Sequence, residues 1–164
     1  MGRIPRIYYD NAVYHVTVRG NNRKAVFGKA EDKEMFLRII NKYKKRFLFK
    51  FFGFVIMDNH AHLVIRSTAL NDISKIMHSI NLSFSRNYGI KYELSGHIWQ
   101  GRFKSELIET EGYALNCLEY IHNNPVRAGM AESAADYFWS SYRFYHEEGD
   151  RSLEGLIEID RFEE

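Results

Sequence analysis

The 164-residue chain is 45% hydrophobic, enough for one domain with an apolar core of its own and no need of a staple. Its single cysteine, Cys117, excludes an internal disulfide framework and fits a reducing cytoplasm. No apolar run approaches the roughly 18 residues of a membrane span, and the opening Met1-Gly2-Arg3-Ile4-Pro5-Arg6 lacks the apolar centre of a secretory signal, so a cytoplasmic protein without a membrane partner is expected. The net charge of +2 is unevenly spread: residues 146–164 hold eight Asp and Glu against Arg151 and Arg161, a balance of −6, which leaves +8 on residues 1–145. A basic body of this kind suits a polyanion.

Residues 11–19 alternate Ala12, Tyr14, Val16 and Val18 against Val13, His15, Thr17 and Arg19, which predicts a strand ending at Gly20-Asn21-Asn22. Residues 31–47 place Phe36, Ile39, Ile40, Tyr43 and Phe47 at helical spacing, with Lys42, Lys44, Lys45 and Arg46 on a solvated face. A strand over 49–57, a turn at Asp58-Asn59 and a strand over 60–66 form an antiparallel hairpin. Residues 72–88 space Ile73, Ile76, Met77, Ile80, Phe84 and Tyr88 for a second helix, closed by Gly89. A loop with Trp99, a fourth strand over 101–109 and a third helix from 111, stopped by Pro125, complete the order.

Strand, helix, strand, strand, helix, strand, helix predicts an α+β domain: a ferredoxin-like four-stranded antiparallel sheet with helices on one face, plus a C-terminal helical extension. One domain over 1–145 followed by an acidic tail over 146–164 is the expected division. Leu153, Leu156, Ile157 and Ile159 give that tail apolar surface, and it either folds back over a basic face or packs on the far side.

Within the hairpin, His60-Ala61-His62 sends both imidazoles to one side of the sheet while Ala61, Leu63 and Ile65 face the core. Two histidines so placed are half of a metal site, or else a solvated pair on a strand. In the third helix Ala114, Leu118 and Ile121 form the buried stripe, and Tyr120 and Asn124 stand one turn apart on a shared face. A phenol able to attack phosphorus, followed by an amide oxygen able to complete a ligand set, is what a single-tyrosine nuclease needs; a packing tyrosine is the alternative. His60, His62 and Asn124 would bring no carboxylate, so the divalent ion is Mg²⁺ or, better suited, Mn²⁺. Asn124 precedes Pro125 and so departs from ideal helical geometry, which makes Asn123 and His122 fallback ligands; His122 is otherwise a solvated helix histidine. Cys117 reads as a buried packing residue.

Five blocks carry a family resemblance: Tyr14-His15-Val16-Thr17-Val18-Arg19-Gly20-Asn21-Asn22-Arg23, Met57-Asp58-Asn59-His60-Ala61-His62-Leu63, Ser95-Gly96-His97-Ile98-Trp99-Gln100-Gly101-Arg102-Phe103-Lys104-Ser105, Tyr120-Ile121-His122-Asn123-Asn124-Pro125-Val126-Arg127-Ala128-Gly129, and Trp139-Ser140-Ser141-Tyr142. In this order they resemble the HUH-type single-tyrosine transposases, and most of all the REP-associated tyrosine transposases related to the enzymes of small insertion sequences. The resemblance implies cleavage of single-stranded or hairpin DNA by Tyr120, a 5′-phosphotyrosine intermediate, a free 3′-hydroxyl and rejoining by reversal. It implies a divalent metal on His60, His62 and Asn124, and a monomer or homodimer.

Arg19, Arg23, Arg102, Lys104 and Arg127 lie at element ends beside these blocks and are the candidate phosphate contacts. Trp99 either stacks an unpaired base or anchors its loop on the core, and Gln100 is placed to read a base edge. His15 and His97 fall inside family blocks without a partner spacing of their own; His78 and His146 have neither. A histidine-triad hydrolase is excluded because position 64 is Val64. The rival from another class is a domesticated, non-mobile module that binds single-stranded nucleic acid through its sheet, with Phe52 and Phe54 as exposed aromatics.

Overall fold

The computed structural model describes residues 6–146 and 152–162. Strands β1 (Val13–Arg19), β2 (Lys50–Ile56), β3 (His60–Arg66) and β4 (Lys104–Ile108) form one antiparallel sheet in the order β2-β3-β1-β4. Helix α1 (Ala30–Phe47) joins β1 to β2, and α2 (Ile73–Tyr92) joins β3 to β4. This is the ferredoxin-like plan expected from the sequence. Helix α3 (Glu111–His122), the short α4 (Asn124–Arg127) and α5 (Tyr142–His146) follow. No helix of the described residues is long and apolar enough to cross a membrane.

Alternation along the strands divides the apolar residues between two layers. Tyr14, Val16, Val18, Ala61, Leu63 and Ile65 face α1 and α2, where they meet Phe36, Ile40, Ile76, Ile80 and Phe84. Val13, Val64 and Ile108 face the other way and pack with Ala114, Cys117, Leu118 and Ile121 of α3. The helical extension therefore covers part of the second face rather than lengthening the first layer. Phe52 and Phe54 are both buried, so neither offers the exposed aromatic platform that a sheet-surface RNA binder requires.

A register shift between Phe51 and Gly53 marks a bulge in β2. It adds one residue, so Phe51 and Phe54, three apart, both reach the α1–α2 layer. Gly53 then lies under α3. A Cβ built there would stand 2.3 Å from Leu118 Cδ2 and 2.9 Å from Ser141 Oγ, so the missing side chain is what lets α3 approach the sheet.

Side-chain caps start two of the helices. Asp72 accepts from Lys75 N at 2.8 Å to start α2, and Thr110 accepts from Tyr113 N at 3.1 Å to start α3. Gly89 does not close α2, as its sequence position suggests; the helix runs to Tyr92 and ends at Glu93 in the left-handed region, φ 52°. Tertiary contacts carry it through the extra turn. Tyr92 packs on Tyr88 and donates its hydroxyl to Asp32, while Lys91 Nζ lies 2.7 Å from the same carboxylate.

The acidic C-terminal segment packs on the far side. Leu153 and Ile157 are buried in the α1–α2 layer, Asp160 N donates to Phe51 O at 2.8 Å and Phe51 N donates to Asp160 Oδ2 at 2.8 Å. Asp160 and Glu158 also face Lys44, at 3.1 and 3.7 Å. Phe51 pairs with Ile65, five residues along β3 from His60, or about 17 Å at strand rise. The segment thus protects the open edge of β2 at the end away from the histidines, and the alternative of a fold-back over a basic DNA face is set aside. Ile157→Ala is expected to cost about 2–5 kcal/mol through the cavity it leaves, and Gly53→Ala about 1–3 kcal/mol through overpacking against Leu118. Urea titrations followed by circular dichroism measure both, and an Ile157→Ala midpoint equal to wild type would take the C-terminal segment off the core.

Candidate active site

The uncovered part of the second sheet face holds the candidate site residues. Pairing of β1 with β3 sets Thr17 opposite His62 and Arg19 opposite His60, and pairing of β1 with β4 sets His15 opposite Glu106 and Thr17 opposite Lys104. Directly opposed residues share a face. His15, Thr17, Arg19, His60, His62, Lys104 and Glu106 therefore lie side by side, beyond the edge of α3.

His62 is the centre of the group. Its Nδ1 lies 2.9 Å from His15 Nε2 and 3.2 Å from Thr17 Oγ1, and its Nε2 lies 2.8 Å from Asn124 Nδ2. Only 8% of it is exposed. Burial first, then the neighbouring His15 and His60 and the guanidinium groups of Arg19 and Arg127, hold its pKa down to about 3. His60 is lowered by burial and then by Arg19, and its Nδ1 stands 2.6 Å from Asn59 Oδ1. The two rings are edge to face, 5.2 Å between centroids. Both imidazoles are neutral at ordinary pH, the form in which a ring nitrogen offers a lone pair to a metal.

Tyr120 stands beside them, 53% exposed, with its ring edge-on to His15 at 6.4 Å. Arg127 lies over the same ring, 4.2 Å from the centroid, and its Nη2 donates to Tyr120 O at 2.8 Å. The structure brings together His60, His62, Tyr120 and Asn124, with Arg19, Lys104 and Arg127 placing positive charge around them. The fallback ligands do not converge there. Asn123 turns back to donate to Glu119 O at 3.0 Å. His122 is buried rather than solvated, bonded to Ser141 Oγ at 2.7 Å, with its pKa held down to about 4 by burial and then by His146. Cys117 is a packing residue, its thiol pushed up to about 11 by burial and then by Glu106.

The loop candidates are distributed around this end of the sheet. Gly20 N donates to Asn59 O, Asn21 N to Ile98 O and Gln100 N to Arg19 O, which ties the β1 end, the β3 start and the 98–100 loop together. Trp99 is the anchor of that loop: its indole N–H donates to Asn81 O at 3.0 Å and its ring packs on Phe27, Phe36 and Phe84. These contacts fit the loop-anchor alternative expected from the sequence, and the ring remains partly exposed. Asn21, His97, Trp99 and Arg102 line an open cleft of about 650 Å³ beside it. Arg23 is exposed in the left-handed region, φ 56°, outside that cleft lining.

The metal donors fit in kind. Two neutral imidazoles lie 5.2 Å apart and the Asn124 amide is beside them, its Nδ2 2.8 Å from His62 Nε2, so its oxygen would have to take the place of that nitrogen to complete a ligand set. Among the described residues no group of three or more His, Cys, Asp or Glu is arranged to hold a metal, so a site here would have to include the amide.

The chain belongs to the family described as IS200-like transposases, whose model matches residues 8–124, a span that includes His60, His62, Tyr120 and Asn124. It is 24% identical over 143 residues to a REP-associated tyrosine transposase of Escherichia coli K12, covering 87% of this chain and 83% of the relative. Over 52 residues it is 44% identical to a putative REP-associated tyrosine transposase of Haemophilus influenzae, 32% of this chain and 29% of that one. The solved structure of a REP-associated tyrosine transposase bound to a REP hairpin superposes with a TM-score of 0.74 at 22% identity, covering 100% of this chain and 93% of that one. The likeness shows a shared fold.

Two residues that support the site give no motif of their own. Lys33, buried near the start of α1, donates to Phe27 O and to Asp58 Oδ1, the latter at 3.1 Å, and so pins the turn that leads into His60. His15 touches His62 through a cross-strand contact visible only once the register is known. Lys33→Met is expected to lower stability by about 1–3 kcal/mol, the cost of leaving the Phe27 carbonyl without its donor, and to broaden the amide resonances of residues 58–60. A variant with wild-type stability and an unchanged spectrum would show that the turn holds itself.

Proposed function

We propose that this transposase cuts and rejoins single-stranded DNA beside hairpin or palindromic repeats, with Tyr120 as the nucleophile. The observation that carries the reading is the convergence of an exposed tyrosine, two neutral histidines and an amide on one patch of sheet with Arg19, Lys104 and Arg127 around it. Tyr120 Oη attacks the scissile phosphorus and its proton passes to solvent. The Oη–P bond forms, the P–O3′ bond breaks, and the leaving oxygen takes a proton to become a free 3′-hydroxyl. The DNA 5′-phosphate stays on the tyrosine, so the energy of the strand bond is kept, and attack by a 3′-hydroxyl reverses the sequence.

A divalent ion, Mg²⁺ or Mn²⁺, held by His60, His62 and Asn124 would supply electrostatic stabilisation of the charge that grows on the phosphate oxygens. The remaining work belongs to side chains of the chain. Arg127 holds the Tyr120 ring by stacking and is placed with Arg19 to grip flanking phosphates. Lys104 adds charge on the same face, Arg102 extends it into the cleft that would lead the strand away, and Arg23 and Gln100 would contact the strand from outside that lining. Hairpin DNA is supported as the partner by the relatives, one of which is described as bound to a REP hairpin. The reaction would take place in the cytoplasm, by a monomer or a homodimer.

Tyr120→Phe is expected to abolish the covalent protein–DNA adduct while leaving binding to a labelled hairpin oligonucleotide within a few fold, because only the nucleophilic oxygen is lost. An adduct that survives denaturation in this variant would move the nucleophile elsewhere, Tyr113 first. His60→Ala and His62→Ala should each lose Mn²⁺-dependent cleavage, and Asn124→Ala should lose less, since water can replace an amide oxygen. Wild-type cleavage by either histidine variant across a metal titration would remove the metal site, and binding without any cleavage by the wild-type protein would favour a domesticated binding module.

A further inference from the structure

The proton on His62 can be assigned from its neighbours. The nearest group to Nε2 is the Nδ2 amide of Asn124 at 2.8 Å, which only donates. Nε2 is therefore the acceptor and the ring proton sits on Nδ1. That proton must in turn be accepted, and two groups are in range: His15 Nε2 at 2.9 Å and Thr17 Oγ1 at 3.2 Å. For His15 Nε2 to accept, His15 must carry its own proton on Nδ1, and Nδ1 is the nitrogen that faces Glu106 Oε2 at 3.9 Å. The carboxylate, the two rings and the amide thus form one row across β4, β1, β3 and α4, each turned to suit the next. On the other histidine, Asn59 Oδ1 at 2.6 Å from His60 Nδ1 does the corresponding work.

We propose that His15 is a positioning residue: it accepts the Nδ1 proton of His62, and so fixes the tautomer that turns the Nε2 lone pair toward Asn124 and the ligand position between them. Glu106, opposite His15 on β4, lies 3.9 Å from His15 Nδ1 and acts on it through charge rather than a hydrogen bond. The inference rests on the metal-site reading above for its purpose, but the tautomer itself is a property of the metal-free protein. His15 touches no substrate atom in this role. It sits between the ligand histidine and the Tyr120 ring, stacked on the first at 5.0 Å and edge to the second at 6.4 Å, so a shift of its ring moves both.

The test uses the full chain. Long-range nitrogen–proton correlation spectra of the metal-free wild-type protein should show His62 with its proton on Nδ1; a proton on Nε2 would overturn the proposal without any variant. His15→Gln places an amide oxygen where Nε2 stood and should keep that tautomer, whereas His15→Leu should give a mixture. In Mn²⁺ titrations followed by electron paramagnetic resonance, His15→Leu should bind about 10–100-fold more weakly, and His15→Gln within a few fold of wild type. A folded His15→Leu protein with wild-type tautomer and wild-type Mn²⁺ affinity would sink the idea. A loss in Thr17→Val with none in His15→Leu would pass the role to Thr17. If His15→Leu does not fold, the wild-type spectrum and the His15→Gln titration still decide. Equal Mn²⁺ binding by wild type and His60→Ala would instead defeat the metal reading, and the metal-free spectra would judge His15 separately.

Discussion

The antiparallel pairing of β1 with β3 is the constraint from which the site follows, because side chains alternate along a strand and a slip of one residue exchanges the two faces. In the observed register Thr17 opposes His62 and Arg19 opposes His60, so polar residues of two central strands meet on one face while Val16, Val18, Ala61 and Leu63 meet on the other. A slip would bury two imidazoles among phenylalanines and expose a row of aliphatics. The apolar layer thus holds the register, and the register holds the histidines. Since β1 is central, the same strand also draws in β4, and with it Lys104 and Glu106.

The second face is shared between packing and chemistry, and Gly53 marks where the first begins. Helix α3 comes close because no side chain stands between Gly53 and Leu118, and its buried stripe of Ala114, Cys117, Leu118 and Ile121 occupies one part of the sheet. Tyr120 projects past that stripe toward the part left open. There the electrostatics divide sensibly: burial and neighbouring cations keep His60 and His62 neutral, while Arg19, Lys104 and Arg127 keep the rim positive. Neutral imidazoles therefore lie inside a mostly cationic rim, with Glu106 the acidic group on the same face.

How much was legible in the chain depended on whether a residue acts through its neighbours in sequence or across the fold. Alternation was enough to put His60 and His62 on one face, whereas helical spacing brought Tyr120 and Asn124 only into the same neighbourhood, because α3 ends at His122 and Asn124 opens a second turn. The order of elements was enough for the sheet. His122 looked solvated because a helical wheel knows only its own helix; residues 139–141, which pair along β2 and bring Ser141 to it, lie on a later segment. Gly89 looked like a helix end because its low propensity is a local property, and the Tyr92–Asp32–Lys91 contacts that outweigh it reach across to α1. The acidic tail was read from its charge, whereas Leu153 and Ile157 decide where it goes. His15 was the nearest miss: its place in the alternation of β1, opposite in phase to Val16, already put it on the polar face, and only the register was lacking.

The residue before proline shows how a local prohibition becomes a positioning device. Pro125 cannot continue α3, so the helix ends at His122 and Asn123 takes φ −86°, ψ −5°. A new turn starts at once, with Asn124 first and Pro125 next, where a missing N–H leaves nothing unpaired. Arg127 N donates to Asn123 O and Ala128 N to Asn124 O, so the turn is closed on itself rather than frayed. Tyr120 and Asn124 consequently sit on two short rigid pieces meeting at Asn123, not on one straight helix. The bend carries the Asn124 amide to His62, and the Arg127 side chain returns across the bend to bond Tyr120 O and cover its ring. Tyr120 and the Asn124 turn are thereby tied together by a single arginine, so a change at Arg127 acts on the tyrosine ring and on the junction between the two pieces together.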